Sequence, residues 1–166
     1  VFHNKGGFDV IIANPPYGAE LTDNEKKYLK SRHENISERI RNTFLYFLGE
    51  AYRQTKSNGI VCFIFPNEFL FQIYMTKARK YFLENSLILF AINLGEDVFE
   101  AIVPTCVVGI KKTKINKYTI PVADMRNASL DELPKLLVID NFPKIIKENI
   151  LAAPNCIFSF DGKKSE

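Results

Sequence analysis

The sequence has no glycine-rich turn. None of its eight glycines forms a G-x-G pair, and Gly6-Gly7 precedes the first apolar run instead of following one. A doubly wound nucleotide-binding fold needs an early strand, such a turn and a helix whose N-terminus faces the bound phosphates. The chain has 166 residues, enough for one domain with a sizeable core, but it lacks the turn by which such a fold holds a nucleotide.

Cysteine, tryptophan and net charge are also scarce. The three cysteines, Cys62, Cys106 and Cys156, have no paired spacing, which argues against a metal site and predicts small core residues in a reducing compartment. There is no tryptophan, and the net charge of +3 allows nucleic-acid binding without arguing for it. No apolar run reaches the length of a membrane span and no cleavable signal is visible, so we expect a cytoplasmic protein.

The strongest pattern in the chain is FDVIIANPPYG. The apolar run Val10–Ala13 predicts a buried parallel strand covered on both faces. Pro15 and Pro16 end that strand, because proline cannot continue a hydrogen-bonded ladder. In open α/β sheets, ligands bind at the C-terminal ends of the strands, so Asn14 and Tyr17 are expected at that edge.

The two prolines predict a rigid turn without competing donors. Neither has an N–H, and each restricts the residue before it to extended geometry, so the amide of Asn14 and the carbonyl of Pro15 offer two acceptors. Two acceptors that hold the hydrogens of an aromatic amine favour a tetrahedral nitrogen with a free lone pair. Tyr17 adds a flat face on which an extruded base can stack, worth roughly 1–3 kcal/mol.

Asn-Pro-Pro-Tyr at the end of an apolar strand resembles the catalytic motif of S-adenosylmethionine-dependent amino-methyltransferases, above all the N6-adenine-specific DNA methyltransferases of restriction-modification systems. The resemblance implies that Asn14 and Pro15 bind the adenine amine and that Tyr17 stacks on the flipped base. The motif also resembles methyltransferases that act on protein glutamine or on guanine amines in RNA. A non-catalytic nucleic-acid-binding module is the alternative from another class. The charged segment after Gly18 and a later phenylalanine-bearing connection favour DNA.

The periodicity predicts an α/β fold. A helix from Asn42, ending at Ser57-Asn58-Gly59, links the first strand to a parallel second strand at Ile60–Phe65. Ser86–Leu94 and Thr105–Lys112 are expected to pair in antiparallel fashion, because their connection is too short for a parallel crossover. The resemblance implies a partial Rossmann-like methyltransferase sheet whose parallel strands end in an antiparallel edge pair. The family's cofactor motif usually precedes Asn-Pro-Pro-Tyr, so the N-terminal cofactor half is expected to be missing.

The resemblance implies roles for three further residues. Phe47 matches an aromatic that lies against the adenine of the cofactor, S-adenosylmethionine, although its spacing alone predicts a core residue. Asn67 follows the second strand and is expected to shape the base site. Phe99 matches the aromatic on the base face opposite Tyr17; the alternative is a lid over the core.

The segment after Gly18 mixes both charge signs and predicts a solvated helix or loop. Thr22 and Glu25 have the spacing of a capping box. The basic residues here would contact the DNA backbone if the segment overhangs the site, or else belong to an ordinary charged surface; they are Lys26, Lys27, Lys30 and Arg32. His33 has no partner motif and is expected on the surface.

We expect residues 1–123 to form the catalytic half of a methyltransferase domain. Residues 124–166 are expected to be a helical tail leading towards a target-recognition region, with a nuclease or specificity region elsewhere in the full-length protein. The expected partner is double-stranded DNA, with no membrane partner. An unpaired edge of the first strand would favour self-association.

Because the glycine-rich turn is missing, we predict that residues 1–166 alone neither bind S-adenosylmethionine measurably nor catalyse measurable methyl transfer. The physical reason is that one of the two halves that enclose the cofactor is absent. Calorimetric titration of the purified chain with S-adenosylmethionine tests this expectation, and micromolar binding would contradict it.

Overall fold

The chain folds around a mixed β-sheet. Its computed structural model describes residues 6–37, 43–96 and 103–160. The strands in these ranges are β1 (Phe8–Ala13), β2 (Thr55–Pro66), β3 (Leu87–Gly95), β4 (Thr105–Lys111), β5 (Thr119–Asp124) and β6 (Lys144–Ile146). The α-helices are α1 (Asp23–Arg32), α2 (Thr43–Gln54), α3 (Glu68–Phe71), α4 (Thr76–Asn85), α5 (Leu133–Leu136) and α6 (Lys147–Ala152). Short 3-10 turns lie at Ile73–Met75, Ile139–Asn141 and Pro154–Cys156.

The local sequence explains where the first two helices begin and end. The capping box expected at the start of α1 is present, because Thr22 and Glu25 each accept from the backbone N–H of the other. Helix α2 stops at Gln54, three residues before the expected turn, and β2 begins at once. The Lys112 ammonium donates to the Thr55 carbonyl at 2.5 Å and satisfies a backbone group at this junction.

The strand order is β1-β2-β4-β3-β5-β6. Strands β1 and β2 are parallel, as the strand–helix–strand order predicts. The antiparallel pairing expected for β3 and β4 is confirmed, but its expected place at the sheet edge is wrong. Strand β4 also pairs with β2, and β5 adds in parallel beyond β3, so the pair lies inside the sheet. The antiparallel pair at the edge is β5 with β6.

The period-2 alternation of the strands divides the core into two clusters. The larger cluster lies under α2, α4 and α6, and it includes Phe63, Val108 and Val122 from three different strands. The smaller cluster lies on the opposite face and centres on Ile92 and Leu94. Cys106 and Cys156 are buried in the larger cluster, which agrees with their expected role as small core residues.

Strand β1 is less covered than its apolar run predicts. Ile11 and Ala13 pack on the larger cluster, whereas Val10 and Ile12 are 52% and 77% exposed. Within the described ranges β1 pairs with β2 alone, and the residues of β1 that pack on the core, Ile11 and Ala13, lie on one face of the strand. The expectation that β1 is buried on both faces is therefore wrong for this chain.

A buried arginine joins the region after β6 to the rest of the fold. Arg79 of α4 is 1% exposed, and its guanidinium donates to the carbonyls of Phe69, Asn155 and Cys156 at 2.7, 2.7 and 2.9 Å. Burial lowers the pKa of Arg79 to about 10. Because this value is still well above 7, the guanidinium remains charged at neutral pH. Ile150 and Phe158 bury their side chains in the larger cluster beside it. The described part of the expected tail thus packs on the same core.

Replacement of Arg79 by methionine is expected to lower the free energy of unfolding by about 3 kcal/mol, because it leaves two buried carbonyls and one part-buried carbonyl without their donor. Arg79→Lys, which keeps the charge and part of the hydrogen bonding, is expected to lose less. Urea denaturation of the purified chain measures both variants. Equal stability of Arg79→Met and the unchanged chain would show that the guanidinium does not hold this region.

Candidate functional site

The C-terminal ends of four strands meet at one edge of the sheet. Ala13, the last residue of β1, pairs with Phe63 of β2, and Asn93 of β3 pairs with Asp124 of β5. The polar residues at or just after these strand ends are Asn14, Asn67, Asn93 and Asp124. Such an edge is where open α/β sheets bind their ligands, so the expected placement of Asn14 and Asn67 at one edge is confirmed.

The Asn-Pro-Pro-Tyr turn leaves this edge with its amide on the surface. Asn14 is exposed, Pro15 is buried, and Tyr17 is half-buried against the larger cluster. The Tyr17 hydroxyl donates to Oδ1 of Asn14 at 2.5 Å. No described residue donates to the Pro15 carbonyl. The turn therefore carries two acceptors, and one of them already has a partner within the turn.

Tyr17 holds Asn14 as a neutral donor. Its burial, with a smaller contribution from the Cys106 thiol, raises the pKa of Tyr17, so the phenol keeps its proton over the ordinary pH range. The second possible acceptor for this hydroxyl, the Ile64 carbonyl, is 3.4 Å away. Because an amide oxygen has two lone pairs, Oδ1 of Asn14 can accept a further hydrogen bond while it binds the phenol.

A threonine ties the turn to the following helix. Thr43, the first residue of α2, is 3% exposed, and its hydroxyl donates to the Pro16 carbonyl at 2.7 Å. The carbonyl of Pro16 is thereby occupied, in contrast to that of Pro15. The bond fixes the outer half of the turn against α2 across 27 residues of sequence.

An apolar cavity of about 420 Å³ lies between the turn, α1 and the start of α2. Phe47 is 48% exposed and lies on its wall together with Pro16, Leu21 and Tyr28. The spacing-based prediction of a core position for Phe47 is wrong, because its neighbours Phe44, Leu45, Leu48, Ala51 and Tyr52 fill the buried face of α2. An exposed ring on an apolar wall suits a flat aromatic ligand.

Glu50 of α2 is the centre of a charged network at the far side of this cavity. It accepts hydrogen bonds from Arg32, Arg53 and Gln54, and the bonds from Arg53 are the largest reason that the pKa of Glu50 is held far below its usual value. His33, expected on the surface, is instead 7% exposed, with Nε2 at 3.8 Å from a Glu50 oxygen. Burial lowers the pKa of His33, so the ring is neutral at pH 7.

The other residues singled out in the sequence have diverse surroundings. Arg32 is engaged with Glu50, whereas Lys26, Lys27 and Lys30 are exposed along α1. Phe99 lies outside the described residues. Among the residues that the structure does describe, no group of side chains is arranged to hold a metal ion, and no helix is long and apolar enough to cross a membrane.

Two contacts in the site were not predicted from the sequence. One is the bond from Thr43 to Pro16, and the other is the bond from the Asn67 amide to Oδ1 of Asn93 at 3.0 Å. Asn93 has a visible signal, since it is an isolated polar residue in the apolar strand LILFAINLG. Thr43 has a weaker one, as a polar residue directly before the apolar helix.

The comparisons identify the class to which this fold belongs. The mixed sheet is that of the methyltransferase domains of restriction-modification systems. A methyltransferase subunit of a type I restriction-modification system from Streptococcus thermophilus has a TM-score of 0.69 and 21% identity, over 90% of this chain and 36% of that one. A nuclease-deletion mutant of the type ISP restriction-modification enzyme LlaGI, in complex with a DNA substrate mimic, also has a TM-score of 0.69, with 14% identity over 90% of this chain and 18% of that one.

The chain belongs to the Eco57I restriction-modification methylase family, whose pattern matches residues 1–99. It is 33% identical over 107 residues to a Methanocaldococcus jannaschii protein named as a type II restriction enzyme and methyltransferase. It is 26% identical over 149 residues to the type II methyltransferase M.AccI of Acinetobacter calcoaceticus. These alignments cover 64% and 86% of the chain but only 9% and 27% of those two relatives.

Replacement of Thr43 by valine is expected to lower the free energy of unfolding by about 1 kcal/mol, because valine keeps the shape but removes the donor to Pro16. Thr43→Ser keeps the hydroxyl and is the matched control. Urea denaturation of the purified chain compares the two variants. If the serine variant is as unstable as the valine variant, the hydrogen bond from residue 43 to the Pro16 carbonyl does not stabilise the turn.

Proposed function

We propose that this chain is the catalytic half of an S-adenosylmethionine-dependent methyltransferase that modifies the N6 amine of a flipped adenine in double-stranded DNA, within a restriction-modification protein. Membership of the Eco57I family supports the reaction class. The observation that carries the choice of an amine is the turn at the end of β1, with an exposed Asn14 oxygen and a Pro15 carbonyl that has no donor among the described residues.

In this proposal Asn14 and Pro15 each accept one hydrogen of the adenine amine. The bonds draw the nitrogen out of conjugation with the ring and stabilise the positive charge that develops on it during attack. S-adenosylmethionine, when bound, supplies the methyl group. The thioether that remains of the cofactor would be the leaving group, and the nitrogen would release one proton to solvent to become a secondary amine. Because the turn is rigid and tied to α2 through Thr43, its dipoles need little reorganisation as the charge develops.

Two aromatic residues would hold the flipped base. Tyr17 already lies beside Asn14, at hydrogen-bond distance, so its ring can cover a base whose amine reaches the Asn14 oxygen. Phe99 is proposed for the opposite face of the base on the strength of the sequence resemblance. Asn67 lies at the same edge of the sheet and is proposed to help to shape the base-binding site.

The cavity beside the turn fits one part of the cofactor. Its apolar wall and the exposed ring of Phe47 suit the adenine ring of S-adenosylmethionine, and Pro16 of the catalytic turn belongs to the same wall. Phe47 would stack on that ring. The chemistry available at this wall is that of binding and orientation only.

DNA is the proposed partner because the chain shares the fold of LlaGI, which is described in complex with a DNA substrate mimic. Lys26, Lys27 and Lys30 are proposed to contact the DNA backbone, since they are exposed on α1 beside the cavity and the turn. Arg32 is less suited to this role, because Glu50 already binds its guanidinium. The exposed Val10 and Ile12 of β1 support self-association of the isolated chain.

The full-length protein, supplied with labelled S-adenosylmethionine, is expected to methylate an adenine-containing duplex and yield N6-methyladenine. Asn14→Ala is expected to reduce kcat at least about 100-fold, because it removes a dipole that acts in the transition state. Asn24→Ala, an exposed asparagine on α1, is the control and is expected to keep full activity.

The same assay includes RNA, a protein substrate with an exposed glutamine, and duplexes of inosine and cytosine, in which cytosine carries the only exocyclic amine. Methylation of protein or RNA alone would overturn the choice of DNA. Methylation of cytosine alone would overturn the choice of adenine. Salt-sensitive DNA binding with no methyl transfer to any substrate would favour the non-catalytic module.

A further inference from the structure

A chain of four polar side chains extends along the sheet edge that carries the catalytic turn. The Asn67 amide nitrogen donates to Oδ1 of Asn93 at 3.0 Å, and the Asn93 amide nitrogen donates to Oδ1 of Asp124 at 3.4 Å. The Arg126 guanidinium then donates to both oxygens of Asp124, at 2.6 to 3.0 Å. The three residues before Arg126 come from the ends of three different strands. Asn67 directly follows β2, Asn93 lies near the C-terminal end of β3, and Asp124 is the last residue of β5.

The carboxylate of Asp124 determines the orientation of both amides in this hydrogen-bonded series, those of Asn93 and Asn67. An ionised carboxylate can only accept hydrogen bonds, so the NH2 group of Asn93 must face Asp124. The oxygen of Asn93 then faces Asn67, and it requires the NH2 group of Asn67 in return. The remaining group of Asn67, its side-chain carbonyl, is therefore directed away from Asn93.

Burial makes the reverse arrangement costly. Asn93 is 1% exposed, so a flipped amide would bring its oxygen against the Asp124 carboxylate with no water to separate the two. The hydrogen bonds from Arg126 lower the pKa of Asp124 and keep it ionised near neutral pH. The backbone supports the same geometry. The Met125 N–H donates to the backbone carbonyl of Asn93 at 2.7 Å and fixes the residues directly after β5 beside β3.

Among the described residues, none donates a hydrogen bond to the side-chain carbonyl of Asn67. Asn67 is the N-cap of α3, where an asparagine ordinarily accepts from a backbone N–H, but its side chain makes no such bond. Nor does any other group in residues 6–37, 43–96 and 103–160 donate to this oxygen. Asn67 is half-buried, and its own backbone N–H is satisfied by the Pro104 carbonyl at 2.8 Å. The side chain is thus held in place with one acceptor left open.

We propose that Asn93 and Asp124 are positioning residues that present the carbonyl of Asn67 to an amino group of a paired base next to the flipped adenine, because Asn14 and Pro15 already bind both hydrogens of the flipped adenine's own amine. The proposal rests on the function proposed above and adds a direction to it. An open acceptor selects hydrogen-bond donors, and in the major groove adenine and cytosine offer an amino donor where guanine and thymine offer only acceptors or a methyl group. The network therefore favours an amino-bearing base at the position that Asn67 contacts and disfavours a base with a carbonyl there.

Kinetics of DNA methylation by the full-length protein test the proposal. Asn67→Ala and Asp124→Asn are each expected to raise KM for DNA about tenfold with kcat within about twofold, because each removes one hydrogen bond made equally in the ground and transition states. The double variant is expected to be no worse than Asn67→Ala, because Asp124 acts through Asn67. Asp131→Asn makes the same chemical change at an exposed position and is expected to resemble the unchanged protein.

The outcomes separate this proposal from the proposed function. A KM that Asn67→Ala leaves unchanged, or effects of the single variants that multiply in the double variant, would overturn the positioning role while loss of activity in Asn14→Ala still supports the reaction. An unchanged protein that methylates no DNA would overturn both.

If Asp124→Asn fails to fold, the amide direction is measured in the unchanged chain by a scalar coupling across the hydrogen bond from the Asn67 amide nitrogen to the Asn93 side-chain carbonyl. Its detection supports the arrangement, and the absence of a coupling from the Asn67 amide nitrogen to the side-chain carbonyl carbon of Asn93 contradicts it.

Discussion

The structure depends on the abrupt end of β1. Pro15 and Pro16 cannot donate to a ladder, so the strand that pairs with β2 as far as Ala13 must leave the sheet at Asn14. The exit is then fixed from two directions, by the hydroxyl of Tyr17 on the Asn14 side chain and by the hydroxyl of Thr43 on the Pro16 carbonyl. Among the described residues, none donates to the Pro15 carbonyl or to the second lone pair of the Asn14 oxygen.

The surroundings of the turn follow from the way in which α2 packs. Its buried face packs on β2 and in the larger cluster, and the hydroxyl of its first residue, Thr43, donates to the Pro16 carbonyl of the turn. The next turn of the helix exposes Phe47 in the cavity beside Pro16. At the opposite end of that cavity, Glu50 joins α2 to α1 through Arg32. The Asn-Pro-Pro-Tyr turn, the aromatic wall and the basic helix α1 are therefore connected through a single helix.

The fold and the position of the Asn-Pro-Pro-Tyr turn were largely predictable from the sequence, because they depend on local patterns. Apolar runs, capping residues and prolines place most strands, and loop length gives the direction of β4 relative to β3. The order of the strands in the sheet was less predictable. Strand β4 lies between β2 and β3 because of backbone hydrogen bonds, and these produce no signal in the sequence. The exposure of Phe47 and the burial of His33 depend on which side of a helix another segment covers, and spacing alone does not record that.

The contacts between distant polar residues were the least predictable. Nothing in the spacing of Asn67, Asn93 and Asp124 shows that three strand ends bring them together, and Arg79 reads as part of a basic helix although it is buried on three carbonyls. These long-range bonds nevertheless decide which polar atoms remain open to a ligand. The family comparison adds that the chain belongs to a restriction-modification methylase family. The residues of the turn alone leave open which amine is the substrate.

The central claim is that the turn holds an amine through the oxygens of Asn14 and Pro15. A crystal structure of the full-length protein with an adenine-containing duplex tests it most directly. The account predicts that N6 of the flipped adenine lies within about 3.2 Å of both oxygens, with the ring of Tyr17 against the base. A flipped base whose amine is bound by other groups, with Asn14 bonded only to Tyr17, would contradict it.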